Sequence, residues 1–259
     1  MRFCSLGSGS AGNSTLVEAS QGITSTRLLV DAGFSERELT RRLLRAGCAP
    51  ADLDAIFITH EHGDHIGCAL AFAMRHRRPL IMSRGSWRAV GNADFDPTLL
   101  RLLRHGETLA LGDLALQPFA VPHDALEPLQ LTVDDGAARL GIVTELGCAP
   151  VGVAESLAGC HTLLLECNHD EALLRGGPYP PALKKRILGS HGHLSNASAA
   201  ELLTRCLHAG LRHVVAAHLS ERNNSPALAR AALAPVLGCA PSDIRVADQA
   251  LGLEWLSLN

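Results

Sequence analysis

The amino-acid sequence predicts an α/β protein, an αββα sandwich in which two mixed β-sheets pack face to face and carry helices on their outer faces. Three observations point there. Two hairpin signals fall in the middle of the chain, strand-like and helix-like segments alternate around them, and no repeat, linker or low-complexity tract divides the 259 residues. Hydrophobic residues make up 47% of the chain and aromatic residues only 3%, so one core built mainly from Leu, Val, Ile and Ala is expected over residues 1–259.

Short strand-like runs open the chain at 2–6, 14–19 and 27–31, with a Gly- and Ser-rich loop from Gly7 to Asn13 between the first two. Ser35 and Glu38 form an S-x-x-E capping box ahead of Leu39, Leu43 and Leu44, which recur at helical spacing, and Gly47 ends that helix. Residues 55–59 read as a buried strand running into a histidine cluster, followed by a helix to about Arg77. Gly112-Asp113 joins strands at 108–111 and 114–121, and Asp134-Asp135-Gly136 joins strands at 129–133 and 139–144. Strands at 161–166, 213–217, 244–247 and 253–258 and helices at 196–208 and 225–236 complete the reading.

A net charge of -3 excludes affinity for nucleic acid through bulk charge, though not through a local site. The N-terminus lacks a signal-peptide core, and no apolar run approaches the roughly 18 residues of a membrane span. Eight cysteines with no C-x-x-C pair among them indicate reduced thiols and a cytoplasmic protein.

Histidine is the unusual residue, with thirteen in the chain. The strand at 55–59 delivers the chain into His60-Glu61-His62-Gly63-Asp64-His65. Imidazole and carboxylate are ligands for zinc-like cations, and His60, His62, Asp64 and His65 converge if the chain turns sharply, which Gly63 permits. Chance alone gives H-x-H-x-D-H in roughly one such chain in a thousand. Three further ligand types end expected strands: His123 after 119–122, Glu145 after 142–144 and His218 after 214–217. Strand ends gather along one edge of a sheet sandwich, where separate segments meet.

These residues, together with Ser5-Leu6-Gly7-Ser8-Gly9-Ser10-Ala11-Gly12-Asn13-Ser14, Val121-Pro122-His123-Asp124-Ala125, Glu166-Cys167-Asn168-His169-Asp170, Gly176-Gly177-Pro178-Tyr179-Pro180, Gly192-His193-Leu194-Ser195-Asn196 and Ala217-His218-Leu219-Ser220-Glu221-Arg222-Asn223-Asn224, resemble the metallo-β-lactamase fold superfamily, and within it the YycJ/WalJ branch. The resemblance covers nearly the whole chain. It implies the αββα sandwich without a β-CASP insertion, two divalent metal ions (zinc or manganese), and a 5′-to-3′ exonuclease acting on single-stranded DNA, 5′-phosphorylated ends included, through a metal-bound hydroxide. It assigns His60, His62 and His123 to a first metal and Asp64, His65 and His218 to a second. Glu145 stands where the superfamily usually has a bridging aspartate, one methylene longer. Asp31 matches the acidic residue that orients the histidine turn.

The same resemblance gives Asp64 a second role, orienting the attacking water, and makes His193 the proton donor to the leaving 3′ oxygen, as in ribonuclease Z-like enzymes. Two divalent cations set against Asp64, Glu145 and a hydroxide leave about one positive charge for an anionic substrate. Candidate substrate contacts are Ser8, Ser10 and Asn13 in the glycine-rich loop, and Tyr179, the only tyrosine, as a stacking platform for a terminal base. Lys184 and Lys185, the only lysines, and Arg186 beside them offer phosphate contacts, and Ser195 follows His193. Glu166, Asn168 and His169 are expected to support the site without ligating. Two other readings use the same residues: a small-molecule metallohydrolase of thioesterase or lactonase type, and a metal-stabilised regulatory protein without catalysis.

Overall fold

Strands apolar on both faces dictate the layers. Leu28 and Val30 face the space between the sheets while Leu29 between them faces a helix layer, and Phe57 and Ile56 divide the same way. Successive side chains of a strand point to opposite faces, so such runs must be covered on both sides.

The computed structural model describes residues 1–91 and 93–258. The first half runs β1 (Arg2–Gly7), β2 (Ser14–Gln21), β3 (Thr24–Val30), α1 (Glu36–Arg45), β4 (Ala55–Phe57), α2 (Gly63–Ile66), α3 (Ala69–His76), β5 (Leu80–Ser83), α4 (Arg84–Val90) and β6 (Leu100–Leu103). The second half runs β7 (Leu109–Leu111), β8 (Leu114–Ala120), β9 (Leu129–Asp134), β10 (Arg139–Val143), α5 (Val151–Leu157), β11 (Thr162–Glu166), α6 (Glu171–Gly176) and α7 (Pro181–Ile187). It closes with α8 (Asn196–Cys206), β12 (His213–Ala217), α9 (Pro226–Leu237), β13 (Arg245–Val246) and β14 (Leu253–Ser257).

Two seven-stranded sheets result, ordered β14-β1-β2-β3-β4-β5-β6 and β13-β12-β11-β10-β9-β8-β7. In the first, β14, β1, β2 and β3 pair antiparallel and β3 to β6 pair parallel. The second repeats this arrangement, with β7 to β10 antiparallel and β10 to β13 parallel. Three apolar clusters fill the interfaces. One lies between the sheets, around Phe3, Phe57, Leu131 and Leu164. A second joins the first sheet to α1 and α3 through Leu29, Leu39, Leu43 and Phe72, and a third joins the second sheet to α5, α8 and α9 through Leu163, Leu157, Leu202 and Leu233. The αββα architecture expected from the sequence is present.

Local chemistry explains most element ends. Ser35 caps α1 by accepting from the Glu38 amide, but the reciprocal half of the expected capping box is absent, because the Glu38 carboxylate is taken by Arg41 and Arg42. The Gly112-Asp113 hairpin pairs Leu111 with Leu114. The single helix expected to run to Arg77 is two, α2 and α3, broken at Gly67 and Cys68. Strands β5 and β6 with α4 between them, and helices α5 and α6, were not among the expected elements. Among the described residues no helix is long and apolar enough to cross a membrane.

What the fold does for chemistry is place strand ends together. Asp31 follows β3, His60 lies just beyond β4, His123 beyond β8, Glu145 beyond β10, and His218 immediately follows β12. The Leu129 amide at the start of β9 donates to the Thr59 carbonyl at 2.9 Å, tying the two sheets together beside these ends.

Candidate metal centre

The histidine turn is docked by backbone. Ala32 N donates to His65 O and Asn13 N to Asp64 O, both at 2.8 Å. This close approach needs glycine at two places, neither of them Gly63. A Cβ on Gly33 would lie 1.7 Å from the Asp64 carbonyl oxygen, and one on Gly67 (φ +36°) would lie 2.3 Å from that of Ala32. Gly63 has open space where its Cβ would be and begins α2, so the expected role passes to Gly33 and Gly67.

His60, His62 and His123 form one group, with ring centroids 4.6–5.1 Å apart. Each ring is held from outside. His60 Nδ1 lies 3.0 Å from Thr59 Oγ1, His62 Nε2 lies 3.2 Å from the Asp124 carbonyl, and His123 Nδ1 lies 3.0 Å from the Gly192 carbonyl. A ring nitrogen that donates outward leaves its opposite nitrogen with a lone pair facing in, so all three present a ligand atom to the same space.

Asp64, His65, Glu145 and His218 form the second group. Asp31 Oδ2 accepts from His65 Nδ1 at 2.8 Å while Asp31 Oδ1 accepts from the Thr59 amide at 2.8 Å, which fixes the imidazole and turns its Nε2 inward. His218 Nδ1 contacts Glu145 Oε1 and lies 3.0 Å from the Thr144 carbonyl. Asp31 and His218 both adopt positive φ, 62° and 53°, a left-handed conformation that costs a non-glycine residue about 1–3 kcal/mol and concentrates at functional sites.

Glu145 sits between the groups, fully buried. Its Oε1 lies 2.9 Å from His65 Nε2 and contacts His218, and its Oε2 lies 3.4 Å from His123 Nε2 and 3.2 Å from His193 Nδ1. Burial pushes this carboxyl upward, yet His218, His193 and His65 hold it well below the usual range. In return the carboxylates overcome burial at the imidazoles: Asp31 and Glu145 raise His65 to about 10, and Glu145 and Glu166 raise His193 to about 9. His60 and His123 go the other way, lowered chiefly by burial.

The donor set fits divalent cations. His60 Nε2 and His218 Nε2 are buried and have no hydrogen-bond partner, a condition that costs about 1–3 kcal/mol per atom unless something is bound there. Imidazole nitrogens and carboxylate oxygens are the ligands zinc-like cations take. The fold and this donor set together imply a divalent metal.

A third group joins Glu145, Glu166, His193 and His218. Glu166 Oε1 lies 2.7 Å from His193 Nδ1, while Oε2 accepts from the Leu146 and Leu194 amides at 2.8 and 3.2 Å. Glu166 therefore anchors His193, and Asn168 supports the opposite wall by donating to the His218 carbonyl at 3.1 Å. His169 is buried and reaches Asn168 Oδ1 at 3.3 Å.

The expected substrate contacts divide. Ser10 and Tyr179 line a cavity of about 250 Å3 with Asp124, Asn168, Arg186 and His193. Ser8, Asn13 and Ser195 are buried and spent inside the protein. Ser8 Oγ accepts from the His218 amide at 2.8 Å, Asn13 Nδ2 bonds to the Gly9 and Asp64 carbonyls and lies 3.0 Å from His65 Nε2, and Ser195 caps α8. Lys184 donates to the Arg175 carbonyl at 2.7 Å, and Lys185 is exposed. Arg186, expected with Lys184 and Lys185 to hold phosphates, lines the cavity, whereas Asp124 had no expected role and its signal was adjacency to His123.

Residues 7–164 match the model of the metallo-beta-lactamase superfamily. The chain is 35% identical over 232 residues to the exodeoxyribonuclease WalJ of Streptococcus pneumoniae, covering 88% of this chain and 85% of that one. It is 32% identical over 241 residues to the exodeoxyribonuclease YycJ of Bacillus anthracis, covering 92% and 89%. Among solved structures, the metallo-beta-lactamase fold protein YhfI of Bacillus subtilis superposes with a TM-score of 0.74 over 98% of both chains at 16% identity, a likeness of fold. The chain belongs to the metallo-beta-lactamase superfamily and, within it, to the branch that holds WalJ and YycJ.

Proposed function

We propose that this protein is a metal-dependent exodeoxyribonuclease that removes nucleotides from the 5′ end of single-stranded DNA, working in the cytoplasm as one catalytic domain over residues 1–259. The observation that carries the reading is the position of Glu145, one oxygen toward each histidine group, beside a cavity that His193 lines. The names of WalJ and YycJ supply the substrate class. Two divalent ions, zinc or manganese, suit the site. His60, His62 and His123 would hold one, Asp64, His65 and His218 the other, and Glu145 would serve both. Bound there, they would supply Lewis acidity toward a phosphate oxygen and lower the pKa of a water molecule.

The chain's own residues do the rest. Asp31 and Thr59 keep the histidine turn in register. Asp64, at the more open side of its group, orients the attacking water. His193 has Nδ1 occupied by Glu166 and Glu145, so Nε2 is the atom left to pass a proton to the leaving oxygen. The water oxygen bonds to phosphorus, the P–O3′ bond breaks, and the proton goes to the 3′ oxygen. The departing nucleotide keeps a 3′-hydroxyl and the shortened strand gains a 5′-phosphate.

End-labelled single strands test the reading. A 5′ label should appear at once in the smallest product while a 3′ label shortens progressively, and circular single strands should resist. Rapid cutting of circles, or release beginning at the 3′ end, overturns the polarity.

A further inference from the structure

One charged pair is built into the wall of the cavity beside His193. Arg186, on α7, places Nε 2.5 Å from Asp124 Oδ2, and its two terminal nitrogens make no hydrogen bond among the described residues. The pair is tied to the site from both ends. Asp124 follows His123 and brings Oδ1 within 3.4 Å of its Nε2, while the His193 amide donates to the Ile187 carbonyl, next to Arg186, at 3.0 Å. The cavity they share, about 250 Å3, is small beside the ~300–1,000 Å3 of most ligand pockets, which suits one terminal nucleotide and not several.

We infer that Arg186 determines specificity for a 5′-phosphorylated end, its terminal guanidinium nitrogens binding the phosphate at the 5′ terminus of the departing nucleotide while Asp124 holds the side chain in place. The inference rests on the exonuclease reading. There the departing nucleotide has its 3′ oxygen at His193, so its 5′ end extends away from His193 into this cavity. Arg186 is the guanidinium in the cavity wall, and a guanidinium fork matches phosphate geometry. Asp124 alone would repel the phosphate, and the pairing with Arg186 cancels that charge. The chemistry is also self-consistent: every cut leaves a 5′-phosphate on the shortened strand, so the group Arg186 reads is present at each round after the first.

The test compares one oligonucleotide carrying either a 5′-phosphate or a 5′-hydroxyl, with the first cut resolved in time. The native enzyme should make the first cut about 10- to 100-fold more efficiently at the phosphorylated end, as expected of a charged hydrogen bond. The hydroxyl substrate should show a slow first cut followed by fast ones. In Arg186→Ala, checked for native metal content, the phosphate-to-hydroxyl ratio of kcat/KM should fall to about one or below, because Asp124 is then uncompensated. Arg186→Lys should keep an intermediate ratio, and Arg186→Ala combined with Asp124→Asn should return the ratio to about one. A native enzyme that degrades both oligonucleotides from the 5′ end with equal first-cut efficiency, or an Arg186→Ala enzyme with the native ratio, overturns the assignment of Arg186 and leaves the exonuclease reading standing. A native enzyme that cuts neither, or begins at the 3′ end, overturns both.

Discussion

Glu166, buried at the end of β11, holds the Nδ1 of His193 at 2.7 Å, and its other oxygen is fixed by two backbone amides. A carboxylate so immobilised cannot follow another partner, so His193 is fixed with it, Nε2 turned away from Glu166. Against the downward pull of burial, Glu145 and Glu166 lift this imidazole to about 9 in the metal-free protein, and Glu166 favours the protonated form that a proton donor needs.

Replacing His193 by Ala should lower turnover by about 10²–10⁴, the usual worth of a general acid, with metal content intact. Glu166→Gln should keep the contact but remove a charge, so the alkaline limb of the pH–rate profile should move to lower pH. A native profile in Glu166→Gln means that Glu166 does not set the protonation of His193.

Glu145 touches four imidazoles from one carboxylate, and its extra methylene relative to aspartate gives it that reach. Glu145→Asp should retain activity within about tenfold, since either carboxylate can ligate. Glu145→Ala should lose up to one metal per chain, read by elemental analysis, together with most of the rate. Full metal content and rate in the alanine variant would remove Glu145 from between the two groups.

How much of this was legible in the sequence depended on whether the signal was local. His60, His62, Asp64 and His65 lie within six residues, and His123, Glu145 and His218 each follow an apolar strand, so pattern alone gathered them. The layers were legible for the same reason, since runs such as Leu28-Leu29-Val30 need cover on both faces. Constraints set by distant backbone were not. Gly33 and Gly67 are required because Asp64 and Ala32 approach from other segments, whereas Gly63 looked important only because it sits in the motif. Ser8 and Asn13 looked available to substrate because loop serines and asparagines usually are, and only the fold shows their polar atoms consumed. Leu80-Ile81-Met82-Ser83 is too short an apolar run to distinguish a strand from a helix turn by period, so β5 and its neighbours went unread.

Metal-free protein should lose stability as the pH rises from about 6.5 to about 10. His65 and His193 have folded-state pKa values raised to about 10 and about 9, and His218 is raised as well. A raised histidine contributes stability that is complete below its unfolded value of about 6.5 and lost as the pH passes its folded value. His60 and His123, lowered by burial, are neutral when folded and half protonated when unfolded at about 6.5. They therefore oppose the loss at the low end of the range and cease to affect the slope about one unit above it. Metal binding should run oppositely, tightening with pH because the imidazoles must shed protons to ligate. Thermal melts of chelated protein across this range, with calorimetry in two buffers of different ionisation enthalpy, measure both. A flat melting profile and no proton release would contradict the charge pattern.

Ser8→Ala separates two roles for the glycine-rich loop. Ser8 Oγ accepts from the His218 amide at 2.8 Å, and His218 is held at φ 53°, so this bond secures a left-handed residue whose Nε2 faces the second group. Removing it leaves a buried N–H unsatisfied, which costs about 1–3 kcal/mol. For a chain of this size that is several degrees of melting temperature, at roughly 2–4 °C per kcal/mol. It also frees His218 to leave the position from which it would ligate, so metal bound by the second group should be stripped by lower chelator concentrations than in the native protein. If Ser8 instead contacted a substrate phosphate, the variant would raise KM while melting temperature and chelator sensitivity stayed native. The buried position of Ser8, only 5% exposed, and its bond to the ligand backbone favour the first outcome: weaker metal retention and lower turnover, with KM changed little once metal is saturating.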